Sequence, residues 1–407
     1  MSAGIADAED SLRELKELTA SAGARVVGTA LQRSPEPDPA TLLGRGKVHE
    51  IRTEAHAAGA DLVIFDHDLT PSQLRNLEKL LDLKVIDRTQ IILDIFARRA
   101  RSREGQLQVE LAQLNYLLPR LSGHGTLLSR LGGGIGTRGP GEQQLEYDRR
   151  RIRQRIRILT ASIERVRSQR ALHRAHRRDQ NLDTVALVGY TNAGKSTLFN
   201  ALTSSGVVTS ARMFATLDPT IRALPLDSHR TALLSDTVGF IRKLPPHLVA
   251  AFRATLEELD EARLLLHVTD ASDPEHEAQD AAVETLLEDL GVASTPRLHV
   301  WNKVDRLAPA ERHKLEAADR SVIVSALTGE GLDNLREHIA DALAADPIVE
   351  ASFDLSSSDG KQLALLHQSG TVISTRYEAD RVLVRAKVPE SLREKLKSST
   401  LEALRER

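Results

Sequence analysis

Gly189-Tyr190-Thr191-Asn192-Ala193-Gly194-Lys195-Ser196-Thr197 is the stretch that decides the fold. A short apolar run, residues 185–188, precedes it, and a helical run, Thr197-Leu198-Phe199-Asn200-Ala201-Leu202, follows. Strand, glycine-bearing turn, Lys-Ser and helix together are the context of a phosphate-binding loop. Glycine lets backbone N–H groups turn inward around phosphates. The helix N-terminus behind them adds positive potential. Lys195 is placed to reach the β- and γ-phosphates, and the Ser196 hydroxyl to ligate Mg²⁺.

Three further motifs follow in order. Asp236-Thr237-Val238-Gly239 begins 40 residues after Ser196, at the end of a predicted strand over 232–235. A carboxylate there can hold Mg²⁺ through water, and the Gly239 N–H can sense the γ-phosphate. Lys195 and Gly239 are therefore the candidate catalytic groups. Asn302-Lys303-Val304-Asp305 follows a predicted strand ending at Trp301. The Asp305 carboxylate matches the N1–H and N2–H₂ donors of guanine, which adenine lacks. Leaving a buried carboxylate unmatched is how a wrong base is rejected, so GTP is the expected nucleotide. Ser325-Ala326-Leu327 is expected to close over the base from the other side.

Between the phosphate loop and Asp236 lies Phe214-Ala215-Thr216-Leu217-Asp218-Pro219-Thr220. We read it as a mobile switch that becomes ordered when γ-phosphate and metal are present. Thr216 is the candidate second protein ligand to Mg²⁺, with Thr220 as the alternative. Two details bear on catalysis. Phe240 stands after Gly239, where many GTPases carry a glutamine that orients water. A phenylalanine cannot polarise water, so the intrinsic rate is expected to be low. The Asn192 side chain could hold K⁺ beside the phosphates; a structural asparagine bonded within the loop explains it equally well. His267 reads as a core histidine in a central strand.

The 407 residues allow two or three domains. Residues 1–103 read as an N-terminal α/β subdomain. Strands are expected over 24–30, 61–65 and 83–86, and helices over 42–58 and 71–81, the last capped by Thr70. Residues 104–180 read as a helical hairpin. Leu107, Leu111, Leu114 and Leu118 form one apolar seam, and Ile152, Ile156, Leu159, Ile163 and Val166 a second. The glycine-rich stretch between them cannot continue either helix. Residues 181–346 read as a P-loop GTPase domain, with strands over 184–188, 221–226, 232–235, 264–268, 298–301 and 322–324. Residues 347–407 read as a small α+β domain, with strands over 351–355, 371–377 and 381–388 and helices over 361–368 and 390–397. The fold class is α/β.

Net charge is −2, yet residues 149–178 hold twelve arginines and one acid, Glu164. A neutral total thus hides a basic arm. Aromatic residues make up 3% of the chain, which favours contact with a phosphate backbone over base stacking. Arg138, Arg149, Arg150, Arg151, Arg153 and Arg155 are the candidate RNA contacts; a solvated helix face is the plainer reading. The lack of cysteine excludes disulfides, thiolate zinc sites and cysteine nucleophiles. The acidic N-terminus is not a secretory signal, and no stretch reaches the roughly 18 apolar residues of a membrane span. A cytoplasmic monomer is expected.

GYTNAGKSTLFN, FATLDPT, DTVGFIRKLP, HVTDASDP, NKVD, SAL and the stretch GGGIGTRGPGEQQLEYDRR together resemble the HflX family over nearly the full chain. The last stretch is the most specific, because generic GTPases lack it. The resemblance implies binding to the large (50S) ribosomal subunit. It implies dissociation of stalled or idle ribosomes under stress, and GTP hydrolysis stimulated by the ribosome. It places the hairpin tip in the peptidyl-transferase region of the rRNA. The alternative is an assembly or RNA-binding checkpoint GTPase that splits nothing.

Overall fold

The computed structural model describes residues 3–32, 36–121, 140–179, 183–203, 213–214, 216–226, 230–242, 259, 261–316, 321–344, 348–356, 360–378, 381–390, 392–393 and 396. The chain divides into two compact units. The first comprises Met1–Arg170, Ser210–Asp218 and Lys243–Arg253; the second comprises Ala171–Thr209, Pro219–Arg242 and Ala254–Arg407.

In the first unit the order is α1 (Ala3–Ser21), α2 (Arg45–Ala57), β1 (Leu62–Phe65), α3 (Pro71–Leu81), β2 (Lys84–Asp87), α4 (Arg88–Arg99), α5 (Arg103–Arg120) and α6 (Pro140–Asp179). β1 and β2 pair in parallel, joined through α3. Thr70 caps α3 in a reciprocal capping box with Gln73, and Pro71 opens the helix. Val48, Phe65, Leu69, Leu77, Leu81 and Val85 form the core beneath. The segment 24–30 is not a strand. It carries Val26 and Val27 well exposed, at 39% and 45%, and no ladder bond forms there.

Helix α4 buries Ile91, Ile92, Ile95 and Phe96 at helical spacing, and Asp87 starts it by accepting from the Gln90 N–H. The fully buried Asp87 also accepts from the Tyr116 hydroxyl at 2.9 Å and from Arg120 at 3.1 Å. Arg88 is buried between Glu14 and Asp66, each 2.8 Å away. These charges satisfy one another, as buried charges must.

The apolar seam expected on α5 is misplaced. Leu107, Leu111, Leu114 and Leu118 are only half-buried; the face that is covered holds Gln108, Val109, Ala112 and Tyr116. That face packs on α4, and Tyr116 turns inward to reach Asp87. The seam on α6 is as expected: Leu159 and Ile163 are buried, with Ile152, Ile156 and Val166 half-buried. A two-pronged ion pair, Arg155 to Glu110 at 2.6 and 2.8 Å, joins α6 to α5. The glycine-rich tip, including Arg138, lies outside the described residues.

In the second unit the order is β3 (Thr184–Val188), α7 (Lys195–Thr203), β4 (Thr220–Pro225), β5 (Thr231–Asp236), β6 (Leu264–Asp270), α8 (His276–Asp289), β7 (Arg297–Asn302), α9 (Pro309–Glu316), β8 (Ser321–Ile323) and α10 (Leu332–Ala344). The sheet order is β4-β5-β3-β6-β7-β8, parallel except for the β4–β5 pair. β3 is buried at every position, the mark of a central parallel strand covered on both faces. A second sheet follows, β9 (Ile348–Ser356), α11 (Gly360–Ser369), β10 (Thr371–Glu378) and β11 (Arg381–Pro389), in the antiparallel order β10-β11-β9. Its own core includes Phe353, Leu355, Leu366, Val382, Val384 and Val388. Much of the helix expected over 390–397 falls outside the described residues. No helix among the described residues is long and apolar enough to cross a membrane.

Candidate nucleotide site

β3 sits where the chain reverses direction across the sheet, with β5 on one side and β6 on the other. In open α/β sheets the carboxyl ends of the strands at such a point form a ligand crevice. The loop 189–194 leaves the end of β3, Asp236 ends β5, Asp270 ends β6 and Asn302 ends β7. Four strand ends thus bring the phosphate loop, the candidate metal carboxylate and the candidate base reader to one edge.

Lys195 opens α7 and is 5% exposed. Its ammonium donates to the carbonyls of Gly189 at 2.9 Å and Tyr190 at 2.6 Å. Burial pushes its pKa down to about 8; Asp236 opposes the shift and Lys303 adds to it. A cation whose ammonium meets two neutral carbonyls at this depth is poised to gain from an anion. Ser196 donates to the Asp236 carboxylate at 2.7 Å. This hydroxyl and carboxylate supply the hard oxygen donors that Mg²⁺ selects, so the residues present fit the ion. Ser196 would bind it directly and Asp236 through water, and the metal would neutralise charge on the β- and γ-phosphates. Thr237 is anchored through its hydroxyl to the Leu187 carbonyl at 2.6 Å, and Val238 is buried.

Gly239 lies against the phosphate loop. A Cβ at that position would stand 3.0 Å from Lys195 Nζ and 2.9 Å from Thr191 Cα, so only glycine lets the two approach. The next residue closes the contact. The Phe240 N–H donates to the Gly189 carbonyl at 3.1 Å, and the Thr191 N–H donates to the Phe240 carbonyl at 2.7 Å. The Tyr190 hydroxyl accepts from the Arg242 N–H at 2.8 Å. Phe240 is buried and serves here as a backbone clasp. No side-chain pattern announces this clasp, because backbone atoms make it.

The candidate base reader, residues 302–305, is tied to the phosphate loop. Asn302 donates to the Ala193 carbonyl at 2.9 Å and accepts from the Ala326 N–H at 3.0 Å. Lys303, in the left-handed region at φ 63°, donates to the Asn192 carbonyl at 2.8 Å and to the Asp270 carboxylate at 2.6 Å. Asp270 is a site residue the motif reading missed; its place at a central strand end, in register with Asn302, is the signal that finds it. Val304 is buried. The Ser325 hydroxyl donates to the Asp305 carboxylate at 2.6 Å and so fixes that carboxylate in place. Leu327 is 78% exposed beside Ala326.

Asn192 is exposed and adopts φ 65°, a conformation that asparagine tolerates better than most residues. Gly194 and Thr197 complete the loop and the first turn of α7. The switch residues are placed differently. Phe214, Thr216, Leu217 and Asp218 belong to the first unit, and Phe214 and Leu217 are buried there; Ala215 lies outside the described residues. A segment expected to be loose is instead packed. His267 is a core residue, stacked on His299 with ring centroids 5.0 Å apart and 3.1 Å from Asp280. Burial drives His299 down to about 4, aided by His267 and opposed by Asp280, so it stays neutral near pH 7.

Comparison with known proteins places the chain in a family. Residues 9–97 match a family described as GTP-binding GTPase N-terminal, residues 99–177 a GTP-binding GTPase middle region, and residues 184–303 a 50S ribosome-binding GTPase. GTPase HflX of Caldanaerobacter subterraneus subsp. tengcongensis is 47% identical over 390 residues, covering 96% of this chain and 90% of that protein. GTPase HflX of Escherichia coli is 44% identical over 377 residues, covering 92% and 88%. A GTP-binding protein from Sulfolobus solfataricus, solved in complex with GDP, is 26% identical over 81% of this chain and 94% of its own, with a TM-score of 0.44. Relatives of such identity run almost end to end along the sequence, and the chain therefore belongs to the HflX family of GTPases.

Proposed function

We propose that this GTPase binds the large ribosomal subunit through rRNA and uses its Mg-GTP switch to separate the subunits of stalled or idle ribosomes. The observation that carries the reading is the arginine run of α6 in the same chain as a guanine-specific nucleotide site. Arg150, Arg151, Arg153 and Arg157 are exposed on that helix. Arg155 is also exposed but is already paired with Glu110. The relatives named GTPase HflX and the 50S ribosome-binding description of the matched family support the same partner. In this reading Lys195 and the Gly239 N–H bear on the γ-phosphate, Thr216 joins Ser196 on the metal, and the arm grips the phosphate backbone.

Sucrose-gradient profiles of intact ribosomes test this reading. With the protein and GTP, ribosomes are expected to run as separate subunits; with GDP they are expected to remain whole. Binding to large subunits should weaken steeply with salt, by about 0.7–0.9 log unit per tenfold salt for each phosphate contacted. Large-subunit binding without any separation would favour the checkpoint alternative.

A second expected outcome concerns K⁺. A cation held by Asn192 beside the phosphates would stabilise transition-state charge as an arginine finger does in other GTPases. Turnover in KCl should then exceed turnover in NaCl by at least tenfold. Equal rates would leave Asn192 as a structural residue chosen for its left-handed backbone.

A further inference from the structure

The structure assigns Asp218 a role away from the nucleotide: we propose that it is a positioning residue, fastening the switch segment 213–218 to the N-cap of α5. The proposal rests on the reading of this segment as the GTP switch.

The segment is anchored at several points within the first unit. The Met213 N–H donates to the Ser21 hydroxyl, at the end of α1, at 2.9 Å. Phe214 meets Phe96 of α4 edge-on, with ring centroids 4.6 Å apart, and its φ is 55°. Met213, Phe214 and Leu217 are each 2–3% exposed. Asp218 then makes the polar closure. One carboxylate oxygen accepts the Arg101 N–H at 2.8 Å and the Ser102 N–H at 2.7 Å. The other accepts the Ser102 hydroxyl.

Ser102 is itself the N-cap of α5, accepting from the Gly105 N–H at 2.9 Å. The carboxylate therefore extends the cap of the helix, where negative charge is favoured. It also explains a residue that otherwise weakens the helix. Glycine is a poor choice in the first turn, yet a Cβ at Gly105 would run into the Asp218 carboxylate. Position 105 is kept bare for a partner more than a hundred residues away.

The cap connects two events. When Mg-GTP draws the switch segment, the Asp218 carboxylate must leave Arg101 and Ser102, and α5 loses its extended cap. α5 is bound to α6 by Arg155 and Glu110, so the loosened helix belongs to the arm that bears the arginines. The nucleotide state is thereby written into the root of the hairpin.

Hydrogen exchange on the full chain tests this, with GDP and with a non-hydrolysable GTP analogue plus Mg²⁺. Exchange over 101–106 is expected to be about fivefold faster with the analogue, the scale of a lost N-cap. Asp218→Asn should raise exchange there with both nucleotides and remove the difference. Ser102→Ala should do the same, which guards against a folding defect in either variant. Both should shift the ratio of analogue to GDP affinity several-fold towards the analogue, a change that a merely structural contact would not produce. If 213–218 responds to the nucleotide while 101–106 does not, the cap proposal is overturned and the switch reading stands. If neither responds, both fall.

Discussion

Asp305→Asn is expected to lower GTP affinity about a thousandfold and to make xanthosine triphosphate the preferred nucleotide. The wild-type carboxylate offers two acceptors to guanine N1–H and N2–H₂. An amide offers one acceptor and one donor, so its NH₂ would face the guanine amino group, donor against donor. Losing one partner of a buried, charge-assisted pair costs about 2–5 kcal/mol, and a thousandfold lies inside that range. Xanthine carries a carbonyl where guanine carries the amino group, so it matches the amide. The Ser325 hydroxyl, 2.6 Å from the carboxylate, can still donate to the remaining oxygen and hold the side chain in place. Competition between the two triphosphates for the variant measures the outcome. Retained preference for GTP would mean that Asp305 does not read the base.

Lys195→Ala is expected to reduce GTP turnover by 10²–10⁴-fold, with the fold intact by circular dichroism. The ammonium is buried and satisfied by two backbone carbonyls. It is therefore preorganised, and a triphosphate meets a positive charge that needs no rearrangement. Removing it leaves phosphate charge without a counterpart, again at about 2–5 kcal/mol. The loop backbone should keep its shape, because the Phe240 clasp and the Asn302 and Lys303 side chains also hold it. Turnover within a factor of ten of wild type would remove Lys195 from the catalytic assignment.

The candidate nucleotide site is legible in the sequence because its chemistry is local. Each motif occupies a few consecutive residues at a strand end, and strand ends can be read from apolar runs. Its ties are not. Lys303 reaches Asp270 and Asn192 across strands, and the Phe240 clasp is made of backbone atoms that no side-chain pattern announces. The buried face of α5 departs from the leucine seam for a related reason. Four leucines in register promise an apolar stripe, yet the buried face is set by α4 and admits Gln108 and the Tyr116–Asp87 bond. The segment 24–30 has strand-like composition but pairs with no strand among the described residues. Asp218 stands close to the phosphate loop in sequence, while the partners it meets in the structure lie 116 and 117 residues earlier.

Asn302 spans the carbonyl of Ala193 and the N–H of Ala326, so the candidate base reader and the phosphate loop share this crosspiece. A purine that fits poorly would disturb that crosspiece and skew the triphosphate it carries. Discrimination against adenine then extends past occupancy into the reaction rate: an ATP molecule that does bind would be hydrolysed more slowly than its affinity alone predicts.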